Sequence, residues 1–182
     1  MNIQAPTAVR PFPKKNAYNE FDMLAFANRE FGDDLPPLPM PPWLMLHRII
    51  DASETGGDYG NGYAIAEYDV WPNAEYFNAH FKGNPVMPGC LGVDAVQQLT
   101  GFVLAWAGAR GDGIALGFGK TRYRGMVKPL SGTLRIRADV KQLKLRPTKL
   151  SVIVASGWVQ AQGGPVYEMD DVMVGVNARP SA

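Results

Sequence analysis

The sequence predicts an α+β fold: a curved antiparallel β-sheet wrapped around one long central α-helix. Three observations predict it. First, Cys90 to Gly108 is the one long helical candidate. Leu91, Ala95, Leu99, Phe102, Val103 and Trp106 make one broad apolar face. Cys90, Asp94, Gln97, Gly101, Ala105 and Gly108 make a second face of mostly small residues. A helix with bulk on one side and small residues on the other is expected to be covered all round. Second, the chain after Gly111-Asp112-Gly113 alternates as strands do, near Ile114–Met126, Thr133–Leu145, Leu150–Gln160 and Val166–Val176. Third, turn-forming residues separate these stretches: Pro129-Leu130-Ser131-Gly132, Arg146-Pro147-Thr148 and Gln162-Gly163-Gly164-Pro165. Several long antiparallel strands and one buried helix define the class.

The earlier elements follow in order. Residues 1–17 are rich in Pro, Lys and Asn and are expected to be a flexible N-terminal extension. Residues 18–182 are expected to form a single domain, without internal repeats. Tyr18 to Phe31 suits a short amphipathic helix. Gly32 to Pro42 holds five prolines and must be extended or turning. Leu44–Ser53 and Tyr59–Val70 suit two strands joined by Glu54-Thr55-Gly56-Gly57-Asp58. Within the second, Tyr63, Ile65, Glu67 and Asp69 alternate with Ala64, Ala66, Tyr68 and Val70, the pattern of a half-exposed strand. Pro72 to Phe81 is expected to be irregular, with one helical turn near Glu75 to Asn78.

Composition narrows the function. Hydrophobic residues at 46% and charged residues at 19% suit a globular core rather than a disordered chain. A net charge of +1 argues against a whole-molecule polyanion binder. One cysteine excludes an internal disulfide and fits a reducing, cytoplasmic setting. No Cys/His cluster has zinc spacing. Met1 to Lys15 lacks the apolar core of a secretory signal. Val93 to Ala109, the most apolar window, is too short and too polar to span a bilayer, so no membrane insertion is expected.

The chemistry concentrates between His80 and Asp94. Near neutral pH, histidine is the side chain best suited to move protons. A Gly/Pro-rich turn follows His80, and a helix starting near Pro88-Gly89-Cys90 would point free backbone N–H groups into the same space. Asp94 lies about one turn into that helix. Apolar surroundings favour a carboxyl group that keeps its proton, whereas the helix dipole favours the charged form. A base, an acid and an oxyanion binder thus lie within one short stretch. Each has a plainer reading. His80 could be a structural histidine beside aromatics, and Asp94 an acid favoured by the helix N-terminus. Cys90 is better taken as a small buried residue at a tight turn than as a nucleophile. At Gly89, the missing Cβ would let a carbonyl approach the N–H closely. His47, in Leu44-Met45-Leu46-His47-Arg48, has no acid partner nearby and is assigned a structural role. Lys120 to Lys149 holds ten basic residues and one acid. Aromatic interleaving is thin there, so an acidic protein partner is favoured over nucleic acid.

The run from His80 to Asp94, with Gln98-Leu99-Thr100-Gly101-Phe102, resembles the 3-hydroxydecanoyl-[acyl-carrier-protein] dehydratase family. Met45-Leu46-His47-Arg48-Ile49 with Glu54-Thr55-Gly56-Gly57, Ala115-Leu116-Gly117-Phe118-Gly119, Tyr123-Arg124-Gly125-Met126-Val127 and Asp170-Asp171-Val172-Met173-Val174-Gly175-Val176 are similar to it too. The resemblance runs from about residue 35 to residue 176. It implies a hotdog fold, a homodimer and an active site at the dimer interface. His80 would remove the C2 proton of a 3-hydroxyacyl thioester. Asp94 of the opposite subunit, protonated, would help the 3-hydroxyl leave as water. The backbone N–H groups of Gly89 and Cys90 would hold the thioester oxygen. The product would be a trans-2-enoyl thioester, with possible isomerisation to the cis-3 form. The resemblance implies no metal or redox cofactor. The acyl chain would arrive on acyl carrier protein, docked on the basic stretch. Gln97, the Asn78-Ala79 pair and the Pro-rich segment before Trp43 depart from the family pattern and leave chain length and isomerisation open. A hotdog thioesterase and a non-catalytic acyl-binding subunit are the alternatives.

Overall fold

The computed structural model describes residues 11–179. Helix α1 spans Glu20–Ala27, and a reciprocal capping box starts it: the Asn19 side chain accepts from the Asp22 N–H, and the Asp22 carboxylate accepts from the Asn19 N–H. Strands β1 (Arg48–Ser53) and β2 (Tyr63–Asp69) follow, then the single-turn helix α2 (Glu75–Ala79) and the central helix α3 (Gly89–Trp106). Strands β3 (Asp112–Gly117), β4 (Thr121–Tyr123), β5 (Thr133–Lys144), β6 (Leu150–Ala161) and β7 (Gly164–Asn177) complete the chain.

The sheet has the order β1-β2-β5-β6-β7-β3, antiparallel throughout, with β4 paired to β7 beyond β3. Helix α3 contacts β2, β5, β6 and β7. Buried residues lie around most of the circumference of α3, as in a helix enfolded by a curved sheet. Its 18 residues extend about 27 Å. Leu99, Leu104 and Phe102 are fully buried against the sheet and α1. The helix ends at Ala107, and Gly108 turns away with φ +116.

The alternation expected of β2 is present, with Ala64, Ala66 and Tyr68 buried and the residues between them half-exposed. The single strand expected over Ile114–Met126 is two strands instead. Gly117 has φ +143, and β7 kinks opposite it, with Asp171 at φ +50. The Gly119 N–H bonds to the Asp170 carbonyl, and the Asp170 N–H bonds to the Lys120 carbonyl, so pairing resumes after the break. Local alternation cannot reveal such a bulge.

Of the N-terminal extension, residues 11–17 lie against the end of α3. The Trp106 indole N–H donates to the Lys15 carbonyl at 2.8 Å. Phe12 stacks on Tyr18 at 5.6 Å and meets Phe26, Phe31 and Phe102 edge-on. Residues 1–10 lie outside the described residues. No helix among the described residues is long and apolar enough to cross a membrane.

Candidate active site

His80 caps the C-terminus of α2, and its loop folds back on itself. The Val86 N–H donates to the His80 carbonyl at 2.7 Å, and His80 Nδ1 lies 2.9 Å from the Val86 carbonyl oxygen. A carbonyl oxygen offers no proton, so in the neutral ring Nδ1 carries the hydrogen. Nε2 is then the acceptor and the available base. The ring stacks on Phe81 with centroids 3.8 Å apart. Phe81 is exposed. The Met87 N–H donates to the Val127 carbonyl, which fixes the same loop to the chain after β4.

Three residues beyond Val86, α3 begins without a side-chain cap and without an acid in its first turn. The Leu91 N–H bonds to the Pro88 carbonyl, whereas the amides of Gly89 and Cys90 precede any possible intrahelical acceptor. Tyr123 of β4 lies directly over Gly89: a Cβ added there would come within 2.5 Å of its ring. Cys90 is exposed, which corrects the expectation of a buried small residue. It is the second residue of α3.

Asp94 faces elsewhere. Five residues after Gly89, at about 100° per residue, it is rotated well away from the Tyr123 side. It lines an open depression with Gln97, Gly101, Pro36, Leu38 and Gly113–Ala115 of β3, and His80 is not among the lining residues. Gln98, one turn on, donates from Nε2 to Asp94 Oδ2 at 2.6 Å and to the Trp43 carbonyl at 2.9 Å. Its Oε1 accepts from the Met45 N–H at 2.9 Å. Gln98 is 7% exposed, so Asp94 is positioned by a side chain that the core holds. The motif contains Gln98, but nothing local assigns it this duty, because its other partners lie more than fifty residues earlier. Asp94, Gln97 and Gly101 are half-buried rather than enclosed as expected, so one stripe of α3 is left partly open beside β3.

His47 was expected to have no acid partner, but the fold supplies one: Asp69 Oδ2 lies 3.7 Å from its Nδ1. Its Nδ1 accepts from the Asp69 N–H at 3.1 Å, and its ring stacks on Tyr68 at 4.7 Å. Burial pushes it below its ordinary value, opposed by the Asp69 charge. The basic stretch is less uniform than its sequence suggests. Arg124, Arg135, Arg137 and Lys141 pair with Glu168, Glu67, Asp139 and the Asp170-Asp171 pair. Lys120, Arg122, Lys128, Lys144, Arg146 and Lys149 are exposed, with no ion pair among the described residues. Lys128 donates to Asn84 in the His80 loop, whereas Lys144, Arg146 and Lys149 sit around the turn between β5 and β6.

Residues 38–170, well over half of the chain, match the FabA-like domain family. The chain belongs to that family. The dehydratase heterocomplex ApeI:P from Xenorhabdus doucetiae is similar in structure, with a TM-score of 0.52 and 16% identity over 78% of this chain and 86% of that one. A hypothetical thioesterase from Streptococcus pneumoniae TIGR4, solved with coenzyme A, has a TM-score of 0.47 and 18% identity over 72% of this chain and 87% of that one. The fold is therefore the α+β hotdog arrangement.

Proposed function

We propose that this protein dehydrates 3-hydroxyacyl thioesters to trans-2-enoyl thioesters, with His80 and Asp94 meeting across a homodimer. The observation that carries this reading is the bond between His80 Nδ1 and the Val86 carbonyl, which leaves Nε2 free as a base close to the uncapped start of α3. Nε2 takes the C2 proton. The electron pair moves into the thioester carbonyl, and the amides of Gly89 and Cys90 stabilise the oxygen. As the enolate collapses, the C3–O bond breaks, and Asp94 gives its proton to the departing hydroxyl. Water leaves, and the enoyl thioester remains. Each proton transfer is worth ~10²–10⁴ in rate. The proton from C2 then returns to Asp94 by way of solvent. No step calls for a metal or a redox group.

The second copy is argued from the sheet edge. Strand β3 pairs with β7 on one side, and its other edge has no partner among the described residues. From Gly113 to Gly119 it carries no charge, and Ile114, Leu116 and Phe118 are each at least 40% exposed. An uncharged apolar edge is a template for another strand. Antiparallel pairing of two β3 strands sets the start of one against the end of the other. Gly113–Ala115, beside Asp94, then lie near the partner's Gly117–Gly119, which leads to β4 and the His80 side. The same pairing brings Lys144, Arg146 and Lys149 toward the partner's site entrance. That cluster, with Lys120, Arg122 and Lys128, suits an acidic acyl carrier protein in the cytoplasm.

Incubating the protein with a carrier-linked 3-hydroxyacyl thioester tests the reaction class. Dehydration raises enoyl absorbance and leaves the thioester intact; release of free thiol instead identifies a thioesterase. Equal turnover by wild type and His80→Asn would refute the assignment of the base, and no change in either readout would favour an acyl-binding subunit.

A further inference from the structure

We propose that Gln97 is a specificity residue that selects 3-hydroxyacyl thioesters carrying a second hydroxyl about two to four carbons beyond C3. This rests on the dehydratase reading and specifies its substrate. The open depression beside Asp94 has three polar side chains, Asp94, Gln97 and Gln98, and the rest of its lining is proline, glycine and aliphatic residues. Two of the three have duties already. Asp94 is the proposed acid. Gln98 engages Asp94, Trp43 and Met45 through its amide N–H groups and its carbonyl. Gln97 is half-buried and makes no hydrogen bond among the described residues. Its side-chain amide therefore has two donors and an acceptor to offer.

The place of Gln97 relative to Asp94 sets what it can read. From Leu91 to Trp106, only Asp94, Gln97 and Gly101 are not buried, and all three line the depression. Three residues along a helix advance about 4.5 Å and return to the same face. A helical side chain leans toward the N-terminus, so the Gln97 amide reaches back toward Asp94. An extended chain advances about 1.2 Å per bond. A substrate whose 3-hydroxyl meets Asp94 and whose tail follows this stripe passes the amide about two to four carbons later. Asp94 meets His80 of the partner subunit only across this face, so joining two copies takes water from it. There the amide needs a new partner. A hydrocarbon tail offers none and leaves buried donors and an acceptor unpaired. A hydroxyl can both give and accept. A site built to bond a hydroxyl rejects the analogue that lacks it.

The test compares the 3-hydroxyoctanoyl thioester of N-acetylcysteamine with analogues bearing a second hydroxyl at C5, C6 or C7. It measures kcat/KM with the wild type, and calorimetric binding of the same compounds to the His80→Asn protein. At least one dihydroxy compound is expected to be preferred over the plain chain by about tenfold or more in both. Gln97→Met keeps the length and helix propensity of the side chain and removes the amide, so it should bring that ratio close to one. Equal or better dehydration of the plain chain by wild type overturns the Gln97 inference and leaves the dehydratase reading standing, whether or not the variant folds. A preference that survives Gln97→Met also overturns it, as does a Gln97→Met protein whose dimer dissociates in sedimentation while its ratio is unchanged, because the amide would then serve the second copy. Selective binding of a dihydroxy compound without dehydration sinks the dehydratase reading and keeps the specificity of Gln97. Neither binding nor turnover of any of the compounds overturns both.

Discussion

Gln98 Nε2 donates to Asp94 Oδ2 at 2.6 Å while Gln98 Oε1 accepts from the Met45 N–H at 2.9 Å. One side chain thereby ties the proposed acid to the segment that enters β1. Gln98→Ala should lower kcat by roughly tenfold to a hundredfold with a smaller change in KM, the kinetic equivalent of ~1.5–3 kcal/mol. Gln98→Glu keeps an acceptor for Met45 but sets a second carboxyl group beside Asp94, so it should move the pH profile of kcat. Kinetics across pH check both variants. Unchanged profiles in both would mean that Asp94 does not depend on Gln98.

Two helical glycines should respond differently to the same methyl group. At Gly92, an added Cβ would lie 2.1 Å from the ring of Tyr167, which is 2% exposed and has no room to yield. Gly92→Ala should destabilise the protein by ~1–3 kcal/mol or more. At Gly89 the obstructing ring is Tyr123, 59% exposed and able to swing outward. Gly89→Ala should keep stability within about 0.5 kcal/mol while activity falls, because the displaced Tyr123 ring disturbs the surroundings of the Gly89 and Cys90 amides. Denaturant unfolding alongside turnover separates the two outcomes; equal stability losses at both positions would contradict the difference.

Acid should weaken the fold in two stages. Burial holds His47 below its ordinary value, so the unfolded chain takes up that proton more readily. The stability contributed by neutral His47 is therefore present above about pH 6.5 and is lost as pH falls through the folded value. Hydrogen bonds from Arg48 hold Asp69 far below the usual carboxylate range. Its contribution is present above about pH 3.9 and is lost below that. His47→Gln keeps an acceptor for the Asp69 N–H and removes only the first stage. Melting temperatures measured between pH 7 and pH 5 should fall less in the variant than in wild type, and equal falls would assign the first stage to another group.

The open edge of β3 should be sensitive to charge. Leu116→Lys places a cation on an apolar, unpartnered strand, where it opposes strand addition. Sedimentation should show the wild type as a dimer and the variant as a monomer, with dehydration lost in parallel. A fully active monomer would remove the shared site.

Much of this arrangement was legible in the sequence. Leu91, Ala95, Leu99 and Phe102 marked the buried side of α3, and the alternation of Tyr63 to Asp69 marked β2, because burial imposes those periods directly. The stretch from His80 to Asp94 drew attention through residue types that suit proton transfer at a helix start. What stayed hidden depends on contacts distant in sequence. Gln98 acquires its duty from Trp43 and Met45. The break at Phe118–Lys120 follows from a kink in β7, about fifty residues later. The basic stretch looked continuous until Glu67, Glu168 and the Asp170-Asp171 pair were brought beside it. Cys90 looked buried because its helix was expected to be covered on every side.

Co-expression of His80→Asn with Asp94→Asn tests the sharing of one site by two chains most directly. If each site takes its histidine from one protomer and its aspartate from the other, a mixed dimer has one damaged site and one intact site. Random pairing then restores about a quarter of wild-type dehydratase activity, although each variant alone is inactive. No recovery, with mixed dimers verified in the sample, would mean that both groups act within one chain and would contradict the account.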